Sequence, residues 1–371
     1  MKKIFILTII WFIAVNLFAL VALNRFTFTA GDTAYDWIDP AAYKQEQSWN
    51  PVRLHAKWDS FWHLSVVGKG YFVDRDAHRS NIVFFPLYPH LVLLVSLATP
   101  FTHGDLILPG WIVSTLFLFL AAVYLYKLVR RFHAVADPQL AVFLLLIFPT
   151  AFFLNAVYTE SLFLFLSIAC LYYARDKKFL WAGVFGLLAT LTRFAGIVLV
   201  VPLVIEYFQH YGRKGIWNPR WLLIGLVPAG LALFFAYHYF AFGDFWLFFE
   251  VQNWWGRAFV LNRDHLIFAQ RPQVVHFALD AVLAVTGLVA AWFVGKKIRA
   301  SYGWYMLAAL LVPLSTGTLM SVGRFVLVLF PLYIWVASWR QGGAAQQVWM
   351  LVSVLLLALH IMLFANGYWA G

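Results

Sequence analysis

The chain alternates long apolar runs with short polar and charged segments. A helix needs about 20 apolar residues to cross a hydrocarbon core. Runs near that length occupy residues 4–23, 106–126, 139–157, 158–174, 179–192, 195–208, 221–240, 274–294, 304–320, 325–338 and 348–365. Several are shorter than about 17 residues and need protein neighbours to shield their ends. A twelfth run, 81–100, carries Pro86 and Pro89, which disturb a helix start. The pattern predicts an all-α polytopic membrane protein with about eleven transmembrane helices, between ten and twelve. No internal repeat and no low-complexity linker divides it, so residues 1–371 are read as one membrane domain.

Charge gives the expected topology. Basic clusters fall at Lys2-Lys3, Lys127/Arg130/Arg131, Arg175/Lys177/Lys178, Arg213/Lys214/Arg220, Lys296/Lys297/Arg299 and Arg340. The positive-inside rule places them all in the cytoplasm. That side then holds 15 of the 27 Lys+Arg but only Asp137, Asp176 and Glu206 of the 16 acids. For the first two clusters to share a side, an even number of crossings must separate them. Runs 4–23 and 106–126 supply two, so 81–100 should lie in the interface or re-enter. Residues 24–105 then form one long extracytoplasmic loop, with a second outer loop at 241–273. Parity also requires a short hairpin within 179–208, turning near Arg193. The N-terminus is expected in the cytoplasm and the C-terminus outside.

Composition agrees. Hydrophobic residues are 63% of the chain and charged residues 12%, about half the charged share of a soluble domain. The 37 Phe, 18 Trp and 17 Tyr suit lipid-facing surfaces and membrane interfaces. The sided distribution of Lys and Arg explains the net charge of +11 without nucleic acid. Cys170, the single cysteine, excludes an internal disulfide and any cysteine-based metal site. Lys2-Lys3 followed by a run of some 20 residues is longer than a signal-peptide core, so it is read as a retained helix.

Candidate chemistry gathers at the predicted outer ends. The densest stretch is Lys57-Trp58-Asp59-Ser60-Phe61-Trp62-His63-Leu64-Ser65-Val66-Val67-Gly68-Lys69-Gly70-Tyr71. Trp58, Phe61, Trp62 and Ser65 recur at helical spacing, which predicts an interfacial helix with its apolar face in lipid. Asp59 at its start is either a first-turn acid favoured by the helix dipole or a functional carboxylate. Tyr158-Thr159-Glu160, Arg193 and Arg324 fall on the same side. Arginines at membrane depth must snorkel, pair or face a polar cavity, and their planar fork suits a phosphate. Glu160 is a ready ion-pair partner for either. The 11 histidines show no metal-ligand spacing, and no glycine-rich nucleotide loop is present. No cofactor is expected, and no residue pattern calls for a divalent metal, although the chemistry would tolerate one.

Trp58-Asp59-Ser60 with Gly68-Lys69-Gly70-Tyr71, and Phe84-Phe85-Pro86-Leu87-Tyr88-Pro89, resemble the first-loop motifs of the PIG-V-type mannosyltransferases. Phe148-Pro149-Thr150, Tyr158-Thr159-Glu160-Ser161, Ala182-Gly183 and Thr192-Arg193-Phe194-Ala195-Gly196 resemble the family's middle block. Gly323-Arg324-Phe325 with Phe330-Pro331 resembles its late arginine motif. The resemblance runs in order over roughly residues 50–335. Lys57 stands where an arginine commonly precedes the Trp-Asp pair.

The resemblance implies a GT-C-type membrane glycosyltransferase, closest to the prokaryotic members. It implies a polyprenyl-phosphate sugar donor, commonly mannose, and an acceptor hydroxyl on a lipid or glycan, with transfer on the extracytoplasmic side. In the family the base is a first-loop aspartate, here Asp59. Arg193 and Arg324 become candidates for the donor phosphate, and Trp58, His63, Tyr158 and Glu160 for substrate contact. The competing class is a transporter or lipid flippase without transferase activity. Asp280, inside its predicted helix, suits that reading best, whereas the rim position of the other ionisable groups and the lack of a repeat favour the enzyme.

Overall fold

The computed structural model of the chain describes residues 1–23, 51–100, 104–255, 257 and 274–368. The remainder of the two expected outer loops, 24–50 with 101–103 and 256 with 258–273, lies outside the described residues.

The described chain is predominantly helical. The helices are α1 (Lys2–Ala22), α2 (Asp59–Lys69), α3 (Leu87–Ala98), α4 (Ile107–Phe132), α5 (Pro138–Leu146), α6 (Glu160–Arg175), α7 (Phe179–Thr190) and α8 (Val200–Tyr211). They continue with α9 (Leu226–Phe242), α10 (Leu247–Trp254), α11 (Val274–Lys297), α12 (Ala300–Leu314), α13 (Val322–Leu327), α14 (Pro331–Ala337) and α15 (Ala344–Ala365). A small antiparallel ribbon pairs β1 (Val73–Asp74) with β2 (Arg79–Ser80).

Among the described residues, six stretches are long and apolar enough to cross a membrane. They are Lys2–Ala22, Ile107–Phe132, Phe194–Tyr211, Pro219–Phe242, Ala278–Lys297 and Ala344–Ala365. These match six of the eleven expected runs. The others fold into shorter pieces, for a reason visible in the sequence. Run 139–157 stops as a helix at Leu146 and resumes as a 3-10 turn at Ala151–Asn155. Pro149 has no N–H and biases the preceding Phe148 away from helix. Run 325–338 breaks in the same way before Pro331. There the Tyr333 hydroxyl donates to the Leu327 carbonyl at 2.7 Å. Both breaks are buried in protein, where irregular backbone at membrane depth is shielded from lipid.

Run 81–100 yields α3, whose 12 residues reach about 18 Å. That falls short of a core of about 30 Å, as does α7, also of 12 residues. The Tyr88 hydroxyl ties α3 to α4 through the Gly110 carbonyl at 3.0 Å and Ser114 Oγ at 2.9 Å.

The two ends of the bundle differ in charge pattern. At one end, Arg131 and Lys178 both pair with Asp176, and Glu206 receives a double hydrogen bond from Arg299 at 2.5 and 2.7 Å. Arg175 lies 3.9 Å from the same carboxylate, and the Ser301 hydroxyl donates to it. Three of the basic clusters therefore meet. α7 leaves this end, the chain turns at Arg193, and α8 brings Glu206 back, which is the hairpin expected from parity. Gly196 permits the tight return, because a Cβ there would sit 2.4 Å from the Thr190 amide nitrogen.

One expectation needs correction. α2 exists and starts at Asp59, but its apolar face is not free to dip into lipid. Of the face expected in lipid, Trp62 is buried in protein, stacked on Phe84 at 6.1 Å and edge-on to Trp255 at 5.3 Å, while Trp58, Phe61 and Ser65 are half-buried. Helical spacing reports an apolar face but not what covers it.

Candidate active site

The site forms at the opposite end of the bundle, where chain segments distant in sequence are strapped together. The Val157 amide donates to the His55 carbonyl at 2.7 Å, and the His55 ring bonds the Asn155 carbonyl at 3.0 Å. The Tyr158 hydroxyl donates to the Lys57 carbonyl at 2.9 Å. These bonds hold residues 55–57 against 155–158 and so bring Asp59 beside Glu160. Between them Trp58 has φ +52° and ψ −117°, a conformation costly for a non-glycine residue and found where the surroundings enforce it. The Ser60 hydroxyl accepts from the Lys57 amide at 3.2 Å, closing the turn.

Arg324 arrives on α13, and its backbone is fixed from two sides. The Gly323 amide donates to Asp280 Oδ1 at 2.9 Å, and the Thr150 hydroxyl donates to the Gly323 carbonyl at 3.0 Å. Asp280, the residue that best suited a transporter, thus shapes the segment that presents Arg324. Ser321, at φ +68°, makes the left-handed turn into α13. Arg193 comes from the α7–α8 hairpin.

The side chains form an alternating chain of charge. Arg324 Nη1 donates to Asp59 Oδ2 at 2.9 Å. Arg324 Nε lies 3.7 Å from Glu160 Oε1, and Arg193 Nη1 donates to that same oxygen at 2.9 Å. Glu160 and Arg324 are buried. Aromatic faces support both cations: the Arg324 guanidinium lies 5.2 Å from the Phe153 ring and 5.1 Å from that of Tyr158. Arg193 lies 5.0 Å from Phe325. Buried carboxylates and guanidiniums coexist here because each is paired.

This chain borders a cavity of about 160 Å³. Asp59, His63, Tyr158, Glu160, Arg193 and Arg324 all line it, so the structure brings together every sequence-predicted site residue except Trp58. Trp58 shapes the turn but is not among the lining residues. The sequence reading also missed Gln252, Trp255 and Arg257, which close the cavity from α10 and its C-terminal flank. No motif marks them; their only signal is their place in the second outer loop.

Burial pushes the Asp59 carboxyl up, but Arg324 and Arg257 outweigh it and hold the group below the usual carboxylate value. Burial lowers His63 to about 3 against the pull of Asp59, so its imidazole is neutral. The His63 ring packs edge-on against Phe84 at 4.9 Å and Tyr88 at 5.4 Å. Among the described residues, no group of three His, Cys, Asp or Glu side chains is placed to hold a metal. Chemically, the cavity offers an ionised carboxylate beside guanidinium groups within an aromatic wall.

A site of this make-up, at one end of a helical membrane protein, fits a group-transfer enzyme. Residues 5–218 match the mannosyltransferase (PIG-V) family. The match covers more than half of the chain, which belongs to this family. The late arginine motif around Arg324 lies beyond the matched residues. No curated protein matches the chain. Among solved structures, it is similar to the Archaeoglobus fulgidus oligosaccharyltransferase tethered to an acceptor peptide with the NVT sequon, at 14% identity and a TM-score of 0.45. That match covers 96% of this chain and 56% of the other. The chain therefore spans about half the length of that enzyme.

Proposed function

We propose that this protein is a GT-C-type mannosyltransferase of the cytoplasmic membrane. It moves mannose from a polyprenyl-phosphate donor to a lipid- or glycan-linked acceptor hydroxyl on the extracytoplasmic side. The observation that carries this reading is the convergence of Asp59, Glu160, Arg193 and Arg324 on one cavity from four separate segments. Family membership supplies the reaction class.

The reaction is a single inverting displacement. The acceptor oxygen attacks the anomeric carbon while the bond from that carbon to the phosphate oxygen breaks. The acceptor proton passes to Asp59, and the lipid phosphate leaves as an anion. Such a base contributes about 10²–10⁴-fold. The ion pair with Arg324 keeps Asp59 ionised and ready, at the expense of base strength. The leaving phosphate needs positive charge rather than a general acid, and the guanidinium network at the cavity supplies it. Neutral His63 and Tyr158 form part of the sugar-facing wall.

The reading is tested by reconstituting the protein in vesicles with labelled polyprenyl-phosphate mannose or labelled GDP-mannose, plus a membrane lipid extract as acceptor. Label should enter the extract from the lipid-linked donor only. Transfer from GDP-mannose alone would refute the donor class.

A further inference from the structure

The two arginines that sequence singles out for a phosphate are already engaged with carboxylates. Arg324 holds Asp59 and Arg193 holds Glu160. These four charges cancel, and His63 is neutral. The remaining charged residue among the described lining is Arg257. Among the described residues, no carboxylate lies within ion-pairing distance of it, so the described lining carries one excess positive charge.

The fold goes to some length to bring that charge in. The Arg257 amide donates to the Gln252 carbonyl at 3.0 Å, continuing the turn that ends α10. α10 is anchored through Trp255, edge-on to Trp62 at 5.3 Å and Phe84 at 5.9 Å, and through Glu250, which takes two hydrogen bonds from Arg75. Trp62 and Asp59 share α2, so the same packing sets Arg257 by the carboxylate. Its field reaches Asp59 and helps to hold that group down. Burial lowers Arg257 itself to about 10, which leaves it cationic near neutral pH. A partly enclosed cation with no anionic partner among the described residues is unfavourable unless a ligand provides the anion.

We infer that Arg257 is the primary ligand of the donor phosphate, and that the single excess charge selects a phosphodiester monoanion. This rests on the proposed donor class. A prenyl phosphosugar carries one negative charge and neutralises the cavity. A nucleoside diphosphate sugar carries two and overfills it. Arg193 and Arg324 then act on the phosphate as part of a pre-paired frame, while Arg257 supplies the unspent charge and a planar fork of donors.

The test measures binding to the full-length protein in nanodiscs, with a short-chain prenyl phosphomannose as probe. The corresponding prenyl mannoside, which lacks the phosphate, is the uncharged control, and GDP-mannose is the dianionic one. Wild type should bind the phosphodiester more tightly than either control. Arg257→Gln should weaken phosphodiester binding at least about tenfold, as for loss of one charge-assisted contact, and leave the mannoside unchanged. Arg257→Lys should lie between, and it serves as the test if the glutamine variant does not fold. Unchanged phosphodiester binding in both variants overturns the role of Arg257 while leaving the donor class intact. Preference of wild type for GDP-mannose, lost in Arg257→Gln, overturns the donor class and the charge selection but keeps Arg257 as a phosphate ligand. Equal weakening toward phosphodiester and mannoside makes Arg257 merely structural and overturns the inference.

Discussion

Replacing Arg324 by Met removes the cation that holds Asp59 and touches Glu160, while keeping much of the side-chain volume. Breaking a buried ion pair costs about 3–5 kcal/mol. Here the arginine side chain is 6% exposed and the aspartate 21%, so the lower end, about 3 kcal/mol, is expected. The sign of the pH effect follows from the two states of Asp59. In the wild type its folded value lies below the unfolded one. Its contribution is therefore complete above the unfolded value and lost only as pH falls through the lower folded value. In the variant the opposing effect of burial loses its main counterweight, and the carboxyl moves above its unfolded value. The folded state then binds the extra proton, so stability falls as pH rises. Catalysis needs the ionised form, so activity should rise over the same window. The assay pairs thermal melting with mannosyl transfer between pH 5 and 8. Expected are a fall in kcat of about 10²-fold at the acid end, partial recovery toward pH 8, and melting that worsens along the same axis. Parallel pH profiles for variant and wild type would refute the role of Arg324 in keeping Asp59 charged.

Asp280 accepts from the buried Gly323 amide; Asp280→Leu strands that donor and should destabilise by about 1–3 kcal/mol. Asp280→Asn, whose carbonyl still accepts, should be nearly neutral, and thermal melting with transfer assays compares the two. Glu206→Ala leaves Arg299 and Arg175 without their buried carboxylate and should cost about 3–5 kcal/mol. Because α6, with 16 residues, separates that cluster from the cavity by about 24 Å, kcat per folded molecule should be unchanged. Gly196→Ala pushes a Cβ onto the Thr190 backbone, and such overpacking typically costs about 1–3 kcal/mol. It should also displace Arg193 and so raise the KM for donor, read from initial rates.

The long apolar helices were legible because length alone separates them from soluble segments: α1, α4 and α15 begin and end within a few residues of the apolar runs, apart from the polar C-terminal turn of α4 and N-terminal turn of α15. The broken helices were not, because composition reads through Phe148-Pro149 and Phe330-Pro331, whereas the backbone cannot. Charge parity anticipated the hairpin at Arg193, which brings Glu206 back to meet Arg175 and Arg299 at one end of the bundle. The site was legible wherever an ionisable residue interrupted apolar sequence, as at Asp59, Glu160, Arg193 and Arg324. Arg257 stood among other charged residues of a loop, where one more arginine attracts no notice. Its significance appears only when the pairs around it are known. Trp62 shows the converse limit: periodicity marked its helix face, but only packing against Phe84 and Trp255 shows that the face meets protein.

The central claim is that Asp59 takes the acceptor's proton. Asp59→Asn keeps the shape and a contact for Arg324 but removes the base. In reconstituted vesicles with polyprenyl-phosphate mannose, kcat should drop about 10²–10⁴-fold, with donor affinity retained. Turnover near the wild-type rate would contradict the assignment.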